Sequence, residues 1–445
     1  MNVREIVFAS LLKCEKNKSY PNIEIDSAIE KYKLTGADRS FYTALVYGVI
    51  EKKITLDYII SRFSSRDVSK IDAEILVILR MGVYQILYMG SVPDHAACFE
   101  SVELCRKNNK KSASGFVNAL LRETVRKKDG IVYPDKEKEP TKYLSVVYSF
   151  PEWLCQMWLN DYGFEKCESI LSALNCPPDI TLRVNTLKTD VESVLKSLEE
   201  KEIKAEKGYY SRNAVRLLQA CPISSLDMLK NGEVYVQDEA SQLCAEIVGA
   251  KENDFVIDTC SCPGGKSFSM AINMGNKGKV CAFDLHGNKL TLVEKGAKKL
   301  GIDIIETKEH DGSIALEELK GCADRVLVDA PCSGLGVIAK KPDLRYKEKS
   351  AIERLPDIQY KILDAACTYV KEGGVLVYST CTINKRENEC VVERFLAEHS
   401  GFEAYDFDLG NGIKSENGMI TFYPDTTKTD GFFVSAFRRI YSPTF

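Results

Sequence analysis

The sequence lacks any uninterrupted apolar run of the roughly 18 to 20 residues that crossing a bilayer requires. Its most apolar stretch, residues 75–89, contains Arg80 and Gln85, so it is better interpreted as a buried helix. The first twelve residues carry Arg4 and Glu5 and show no small-residue cleavage pattern, so we expect no signal peptide. These features predict a cytoplasmic protein that does not contact a membrane.

Histidine is scarce, and cysteine spacings typical of metal sites are missing. The chain has four histidines and no two cysteines separated by two residues, whereas zinc sites usually show one or both. Its 16 cysteines are spread along a chain with no export signal, where a reducing cytosol keeps them as thiols. We therefore predict neither a metal centre nor a disulfide framework.

Length and charge indicate several domains, one of them basic. A chain of 445 residues exceeds one ordinary core and predicts two or three domains. The net charge of −4 disfavours nucleic-acid binding only when it is taken over the whole chain. Residues 1–130 hold 21 Lys and Arg against 16 Asp and Glu, which gives +5 there and −9 for the rest. A locally basic domain binds phosphates even on an acidic protein.

The apolar periodicity changes twice along the chain. It is helical almost throughout residues 1–130, which predicts an all-α domain. Residues 127–142 are rich in charge and proline and are predicted to form a linker. Residues 141–235 are predicted to form a small α+β module. Its expected elements are a strand at 180–186, a helix at 191–201 and strands at 215–218 and 234–236.

The remaining residues, 236–445, alternate short apolar runs with helical ones, which predicts βαβ units and a mostly parallel sheet. The expected strands are 255–257, 280–283, 302–305, 326–328, 375–378 and 432–437. Asp258, Asp284, Asp311 and Asp329 follow the first four of these strands. Because open α/β sheets bind ligands at the carboxyl ends of their strands, we expect the site at this edge.

Residues 258–267, Asp-Thr-Cys-Ser-Cys-Pro-Gly-Gly-Lys-Ser, predict a strand that enters a glycine turn and then a helix. A phosphate loop requires glycine where Cys260 stands, and a dinucleotide site requires three spaced glycines that this turn lacks. Asp284 nevertheless lies where a ribose-binding acid belongs, about 20 residues beyond the turn. A nucleoside without a pyrophosphate fits both facts. S-adenosylmethionine is such a ligand, with Asp284 expected at its ribose and Asp311 near its adenine.

Two cysteines follow neighbouring predicted strands, Cys332 after the fourth and Cys381 after the fifth. If these strands are adjacent and parallel, both thiols lie at one end of the sheet. A thiolate suits attack on carbon 6 of cytosine, because carbon 5 accepts a methyl group only after that addition. Asp329 is the natural group to protonate or hydrogen-bond ring N3. Buried structural thiols, or a metal site that includes Cys260 and Cys262, are the alternatives.

These motifs resemble a known family. Segments 258–267, 329–334 and 379–381 are similar, in order, to three motifs of RNA cytosine-5 methyltransferases. Four further segments resemble flanking elements of that family, namely 183–186, 235–241, 387–389 and 430–433. The N-terminal domain resembles the NusB-like RNA-binding fold through residues 36–40, 79–85, 92–95 and 115–122. The combination is similar to the bacterial ribosomal RNA small-subunit methyltransferase B family.

The resemblance implies an all-α NusB-like N-terminal domain, a small α+β linker module and an α/β Rossmann-like class I methyltransferase core. It implies methylation of cytosine carbon 5 in 16S ribosomal RNA, with cytosine 967 as the family expectation. Cys381 is then the nucleophile, Cys332 assists product release and Asp329 completes the catalytic group. The residues expected to bind S-adenosyl-L-methionine are Cys260, Ser261, Cys262, Pro263, Gly264, Gly265, Lys266, Asp284, Asp311 and Asp329. We expect a monomer that binds free or partly assembled 16S ribosomal RNA.

Two other hypotheses stay open at this point. One is a non-catalytic RNA-binding factor with a relic core, which the intact thiol pair and Asp329 argue against. The other is the same chemistry on DNA or transfer RNA, which the motifs around the thiols do not distinguish from ribosomal RNA.

Overall fold

The computed structural model of the chain describes residues 2–17, 21–219, 223 and 226–441. The chain divides into two compact units, which we call unit 1 (Met1–Asn175 with Lys340–Lys347) and unit 2 (Cys176–Ala339 with Glu348–Phe445). Within the described ranges, no helix combines the length and apolar character needed to cross a bilayer. No disulfide joins the cysteines in this part of the chain.

Unit 1 is helical, as the periodicity of its first 130 residues predicts. Its apolar stretch forms a helix in which Ile78, Leu79 and Met81 are buried, and the Asp72 carboxylate caps that helix by accepting from two backbone N–H groups. The helices are α1 Val3–Asn17, α2 Pro21–Tyr32, α3 Gly36–Glu51, α4 Lys53–Phe63, α5 Ala73–Tyr88, α6 Asp94–Lys107, α7 Ser114–Lys127, α8 Pro140–Tyr148, α9 Glu152–Tyr162 and α10 Phe164–Ala173.

A short 3-10 turn from late in the chain, Pro342–Tyr346, also belongs to unit 1. Its Arg345 is fully buried. The guanidinium donates to the carbonyl oxygens of Glu51 at 3.0 Å and Ser149 at 3.1 Å, and it lies 4.2 Å from the centre of the Phe150 ring. Unit 1 is therefore discontinuous in sequence, and a buried cation from the second segment satisfies carbonyl groups of the first.

Unit 2 begins with a small antiparallel sheet of order β2-β3-β1-β4. All four elements expected between residues 180 and 236 are present near their predicted bounds. They are β1 Ile180–Val184, α11 Val191–Glu200, β3 Ala214–Leu217 and β4 Val234–Val236, with β2 Ala205–Lys207 and α12 Asp227–Lys230 in addition.

The larger sheet of unit 2 has the order β10-β14-β9-β8-β5-β6-β7, with β13 paired to β14. The five strands from β7 to β9 are parallel and β14 is antiparallel, so the predicted mostly parallel sheet is confirmed. The elements are α13 Glu239–Val248, β5 Phe255–Asp258, α14 Gly265–Asn273, β6 Lys279–Asp284, α15 Gly287–Leu300, β7 Ile305–Glu309, β8 Ala323–Asp329, α16 Lys349–Ile352, α17 Leu355–Cys367, β9 Val370–Thr380, α18 Glu389–Glu398, β10 Phe402–Ala404, β11 Asp408–Gly410, β12 Ile413–Lys414, β13 Met419–Phe422, α19 Pro424–Thr427 and β14 Phe432–Arg439.

One predicted strand is misplaced. The expected strand at 302–305 begins only at Ile305, because Ile302 terminates the preceding helix instead. Gly301 is left-handed at φ +75°, and the Ile302 N–H donates to the Ala297 carbonyl at 2.9 Å. This is the Schellman ending of a helix, in which an apolar residue after the glycine packs back on the last turn. Ile302 is buried for that reason.

Candidate active site

Four aspartates lie at the carboxyl ends of the parallel strands. Asp258, Asp284 and Asp329 are the last residues of β5, β6 and β8, and Asp311 lies just beyond the end of β7. In open α/β sheets this edge binds ligands. The structure therefore brings the predicted acids to one edge, and their contacts divide them by role.

Asp258 is fully buried and shapes the loop that follows β5. Its Oδ2 accepts from Ser267 Oγ at 2.6 Å, and its Oδ1 accepts from the Cys260 backbone N–H at 3.4 Å. Burial raises the pKa of this carboxyl to about 7. Because Ser267 belongs to the first turn of α14, Asp258 ties the strand to the helix and fixes the turn between them.

The glycine turn packs closely against its neighbours. Gly264 has φ +109°, and an added Cβ would lie 2.4 Å from the Phe268 ring, so both conformation and space require glycine. A Cβ at Gly265 would lie 3.4 Å from Gln237 Nε2. That amide nitrogen is buried and has no hydrogen-bond partner among residues 2–17, 21–219, 223 and 226–441. The turn therefore contains a position that only glycine fits, and beside it lies the Gln237 amide nitrogen, whose hydrogen-bonding capacity is unused within the described residues.

The other residues of the turn are Ser261 and Pro263, which shape its backbone, and two cysteines whose thiols have raised pKa values. Ser261 is buried, and its N–H donates to the Phe283 carbonyl at 2.7 Å. Pro263 is exposed, and its peptide bond to Cys262 is cis. Burial raises the pKa of the Cys260 thiol, and burial together with Asp284 raises the pKa of Cys262 to about 12. Both thiols therefore stay protonated near neutral pH, which does not suit a nucleophile.

Asp284 keeps accepting capacity toward solvent. Its Oδ2 accepts from the Cys262 N–H at 3.3 Å and its Oδ1 from the His286 N–H at 3.0 Å. A carboxylate accepts about four hydrogen bonds, so acceptors remain for the two hydroxyls of a ribose. Asp311 is exposed, and its Oδ1 accepts from Ser313 Oγ at 2.7 Å and from the Ser313 N–H at 3.0 Å, which together lower its pKa. The donors and acceptors at this edge fit S-adenosylmethionine.

The two predicted thiols meet. Strands β8 and β9 are adjacent and parallel, and Cys332 Sγ lies 3.0 Å from Cys381 Sγ. Both residues keep some exposure to solvent. The hydrogen bond from the Cys332 thiol lowers the pKa of Cys381. The same bond, together with burial, raises the pKa of Cys332. One thiolate therefore forms more easily, and it is on Cys381.

Asp329 joins the glycine turn to the end of β9, two residues before Cys381. Its Oδ2 accepts from Lys266 Nζ at 2.7 Å, and its Oδ1 accepts from Ser379 Oγ at 2.9 Å. The negative charge of Asp329 raises the pKa of Lys266, whose ammonium also lies 4.9 Å from the centre of the Phe432 ring. The residues predicted to bind the cofactor include Lys266. In the structure the Lys266 ammonium pairs with the Asp329 carboxylate, and no local sequence motif indicates that ion pair.

Two glycines hold the backbone of Cys381, and sequence reasoning gave neither a role. The Gly336 N–H donates to the Cys381 carbonyl at 3.1 Å, and the Gly431 N–H donates to the Gly336 carbonyl at 2.9 Å. A Cβ on Gly336 would lie 1.8 Å from the Gly431 carbonyl oxygen, so the two backbones touch. The resemblance at 430–433 was the one sequence signal for this contact.

Three family models match consecutive parts of the chain. A model of the NusB family matches residues 1–126, and a ferredoxin-like domain model of RsmF/B-like methyltransferases matches residues 150–224. A model described as 16S rRNA methyltransferase RsmB/F matches residues 245–438. The predicted combination of a NusB-like domain with a Rossmann-like methyltransferase core is confirmed.

Curated relatives match the chain over nearly its whole length. A protein of Bacillus subtilis (strain 168), named probable ribosomal RNA small subunit methyltransferase B, is 38% identical over 98% of this chain and 99% of its own. A protein of Synechocystis with the same name is 34% identical over 99% of this chain and 100% of its own.

Solved structures agree on the fold. The protein PH0851 superimposes with a TM-score of 0.82 at 25% identity, covering 99% of both chains. NSun6 from Pyrococcus horikoshii, solved with SFG, superimposes with a TM-score of 0.58 at 24% identity, covering 66% of this chain and 100% of that one.

S-adenosylmethionine is the cofactor of this chain, because the matched methyltransferase families and the donors at the strand ends agree on it. The chain belongs to the bacterial ribosomal RNA small subunit methyltransferase B family, whose members are enzymes that methylate ribosomal RNA.

Proposed function

We propose that the chain methylates carbon 5 of a cytosine in 16S ribosomal RNA through a covalent bond between Cys381 Sγ and carbon 6 of the base. One observation carries this proposal. Two thiols lie 3.0 Å apart beside an ion pair of Lys266 and Asp329, and the thiol with the lowered pKa is Cys381. A lowered pKa supplies the thiolate that addition to a pyrimidine requires.

The first step is addition of the Cys381 thiolate to carbon 6. The ring electrons then move toward N3, and a hydrogen bond or proton there stabilises the adduct. We propose that Asp329 takes up a proton from solvent when the base binds and donates it to N3; in the free protein its carboxylate is paired with the Lys266 ammonium at 2.7 Å. Carbon 5 becomes nucleophilic as a result. The cofactor supplies an electrophilic methyl group when bound, and we propose that residues 260–266, Asp284, Asp311 and Asp329 hold it.

Release requires loss of the carbon 5 proton and of the bond to Cys381. In the free protein, Cys332 stays protonated chiefly because it donates to Cys381. Once Cys381 Sγ is bonded to carbon, it carries no negative charge, so the main cause of the high pKa of Cys332 disappears. We infer that Cys332 then loses its own proton to solvent and, as a thiolate, takes the proton from carbon 5 while the carbon–sulfur bond breaks and the electrons return to Cys381.

RNA binding is proposed to use all three predicted parts. Residues 1–130, which carry a net charge of +5, position the RNA. Residues 141–235 recognise it, and residues 236–445 contain the groups that carry out methylation. The target base must leave its stack at a cost of about a few kcal/mol. Phosphate contacts make affinity fall with salt, with a slope of about −0.7 to −0.9 per neutralised phosphate. We propose that a monomer does this in the cytoplasm, on free or partly assembled 16S ribosomal RNA.

The test is bisulfite mapping of total RNA from a bacterium that lacks this family member, with and without the chain. We expect one protected cytosine in 16S ribosomal RNA, at cytosine 967 by the family expectation. Protection must be present with the unaltered chain and lost with Cys381→Ala. Protected cytosines in transfer RNA instead, or no protected cytosine at all, contradict the proposal.

A further inference from the structure

The backbone on both sides of Cys332 is held by one buried pair of side chains. After the cysteine, the Ser333 N–H donates to Glu387 Oε2 at 2.8 Å. Before it, the Pro331 carbonyl accepts from Gln359 Nε2 at 3.0 Å, and the same nitrogen donates to Glu387 Oε2 at 2.9 Å. Glu387 and Gln359 are fully buried. The Cys332 loop is therefore fixed at both ends by the carboxylate of Glu387 and the amide next to it.

The residues on both sides of Cys381 are held by the next residue along the chain after Glu387, which is Asn388, through a side chain before the cysteine and a backbone carbonyl after it. Thr380 Oγ1 donates to Asn388 Oδ1 at 2.6 Å, and Asn388 Nδ2 donates to the Thr382 carbonyl at 2.9 Å. Asn388 is also fully buried. One amide thus satisfies a donor before the cysteine and an acceptor after it.

Glu387 and Asn388 are themselves rigidly placed. Glu387 Oε1 accepts from Asn384 Nδ2 at 2.8 Å, and the Glu387 carbonyl accepts from the Tyr378 hydroxyl at 2.6 Å. A buried carboxylate persists only when hydrogen bonds replace its hydration, and this one receives three on its two oxygens. Two consecutive residues therefore set the distance between the two backbone segments that carry the thiols.

We propose that Glu387 and Asn388 are positioning residues that hold the Cys332 thiol where it donates to Cys381, and so determine which of the two sulfurs is the thiolate. The proposal rests on the proposed function, in which that thiolate attacks the base. Fixing the backbone alone does not select between two cysteines. The Glu387 carboxylate adds an asymmetry of charge, because it holds the Cys332 loop and its negative charge raises the pKa of Cys332.

Charge supports the same assignment. The negative charge of Glu387 contributes to the raised pKa of Cys332, after the bond to Cys381 and burial. The other charged groups that act on Cys381 are Asp329 and Asp430, which raise its pKa, and Lys266, which lowers it. Tyr378, whose own pKa is raised by burial, stays neutral beside Cys332. A carboxylate near Cys332 therefore keeps the shared proton there and leaves the negative charge on Cys381.

The test measures which thiol reacts in the full-length protein without RNA. Iodoacetamide is added over a range of pH, and peptide mass spectrometry gives the alkylation rate of Cys332 and of Cys381 separately. In the unaltered protein we expect Cys381 to react faster near neutral pH. Glu387→Gln keeps the shape and removes the charge, so the Cys381:Cys332 rate ratio should fall about tenfold. Asn388→Ala should instead raise the pH midpoint of Cys381 alkylation, because the hydrogen bond that Cys381 accepts from the Cys332 thiol becomes weaker.

The matched control is Glu393→Gln, an exposed carboxylate on α18, the helix that begins just after Glu387 and Asn388, and it should leave the rate ratio and the pH midpoint unchanged. Thr380→Val removes one bond to Asn388 without changing size, and it replaces Asn388→Ala if that variant does not fold. Folded Glu387→Gln and Thr380→Val proteins that keep the unaltered ratio and midpoint would overturn the proposal. Because no RNA is present, that failure is distinct from a failure of methylation at the proposed base.

Discussion

The carboxyl edge of the large sheet is built in two ways. At the ends of β5 and β6, single carboxylates hold the loops by accepting backbone N–H groups, as Asp284 does from Cys262 and His286. At the ends of β8 and β9, buried side chains hold the loops, and their charges act on reactive sulfur. The first half offers a surface that a small molecule completes. In the second half the loops are held in place by the protein's own buried side chains, as preorganised catalytic groups must be.

The largest expected effects separate the two thiols. Cys381→Ala should lower turnover by at least about a thousandfold, because it removes the sulfur proposed to add to carbon 6. Cys332→Ala should still allow addition but slow release, so a protein–RNA adduct accumulates on ordinary substrate. Denaturing gels with RNA, and trapping on RNA that contains 5-fluorocytosine, measure both. The reverse pattern would exchange the roles of the two cysteines.

The next effect concerns Asp329, which belongs to both halves of the edge. Asp329→Asn keeps an acceptor for Ser379 but removes the charge that pairs with Lys266. We expect the rate of adduct formation to fall by about a hundredfold or more, as for loss of a general acid or base. The affinity for S-adenosylmethionine, measured by calorimetry, should fall much less. A loss confined to cofactor affinity would move Asp329 out of the base-binding group.

A smaller effect is expected on the cofactor side. Asp284→Ala removes the carboxylate proposed for the ribose, and the affinity for S-adenosylmethionine should fall by about 10- to 100-fold, as for a charged hydrogen bond. Alkylation rates of Cys332 and Cys381 should not change, since Asp284 does not contact either sulfur. Calorimetry and thiol mapping on the same preparation give both numbers. Unchanged cofactor affinity would remove Asp284 from the site.

A separate effect, on stability and not on activity, is a pH dependence at Asp258. Its folded pKa of about 7 lies above the value of about 3.9 for an unfolded chain. The folded state therefore binds more protons between those values. Stability from this group is complete below about pH 4 and is lost as the pH rises through 7, by at most about 1.4 kcal/mol per pH unit. Chemical unfolding of the unaltered protein and of Asp258→Asn, which does not titrate, measures the difference. Parallel stability curves for the two proteins would contradict it.

Sequence reasoning found the parts of the edge that depend on strand order. Parallel strands end on the same side of a sheet, so acids after strands and cysteines after two neighbouring strands had to meet. Asp258, Asp284, Asp329, Cys332 and Cys381 were located in this way. The strand at 302–305 was misplaced because an apolar residue ending a helix has the same sequence signal as one beginning a strand.

The side chains that hold the two cysteines in place could not be predicted from strand order. The sequence marks Glu387 only through a family resemblance, and nothing in the residues around Gln359 distinguishes it within its helix. Their contacts join segments 28 to 54 residues apart, and hydrogen bonding at such distances depends on packing that local patterns do not encode. The ion pair between Lys266 and Asp329, 63 residues apart, was missed for the same reason.

The place of Arg345 in unit 1 has a consequence for how the chain is made. Domains form as units during synthesis, starting from the N-terminus. The helical unit is completed only when residues 340–347 have left the ribosome, long after residue 175. A fragment cut at Asn175 leaves the Glu51 and Ser149 carbonyls without the guanidinium that binds them, which destabilises it relative to the intact protein. Attempts to isolate the helical unit should therefore add the late segment back.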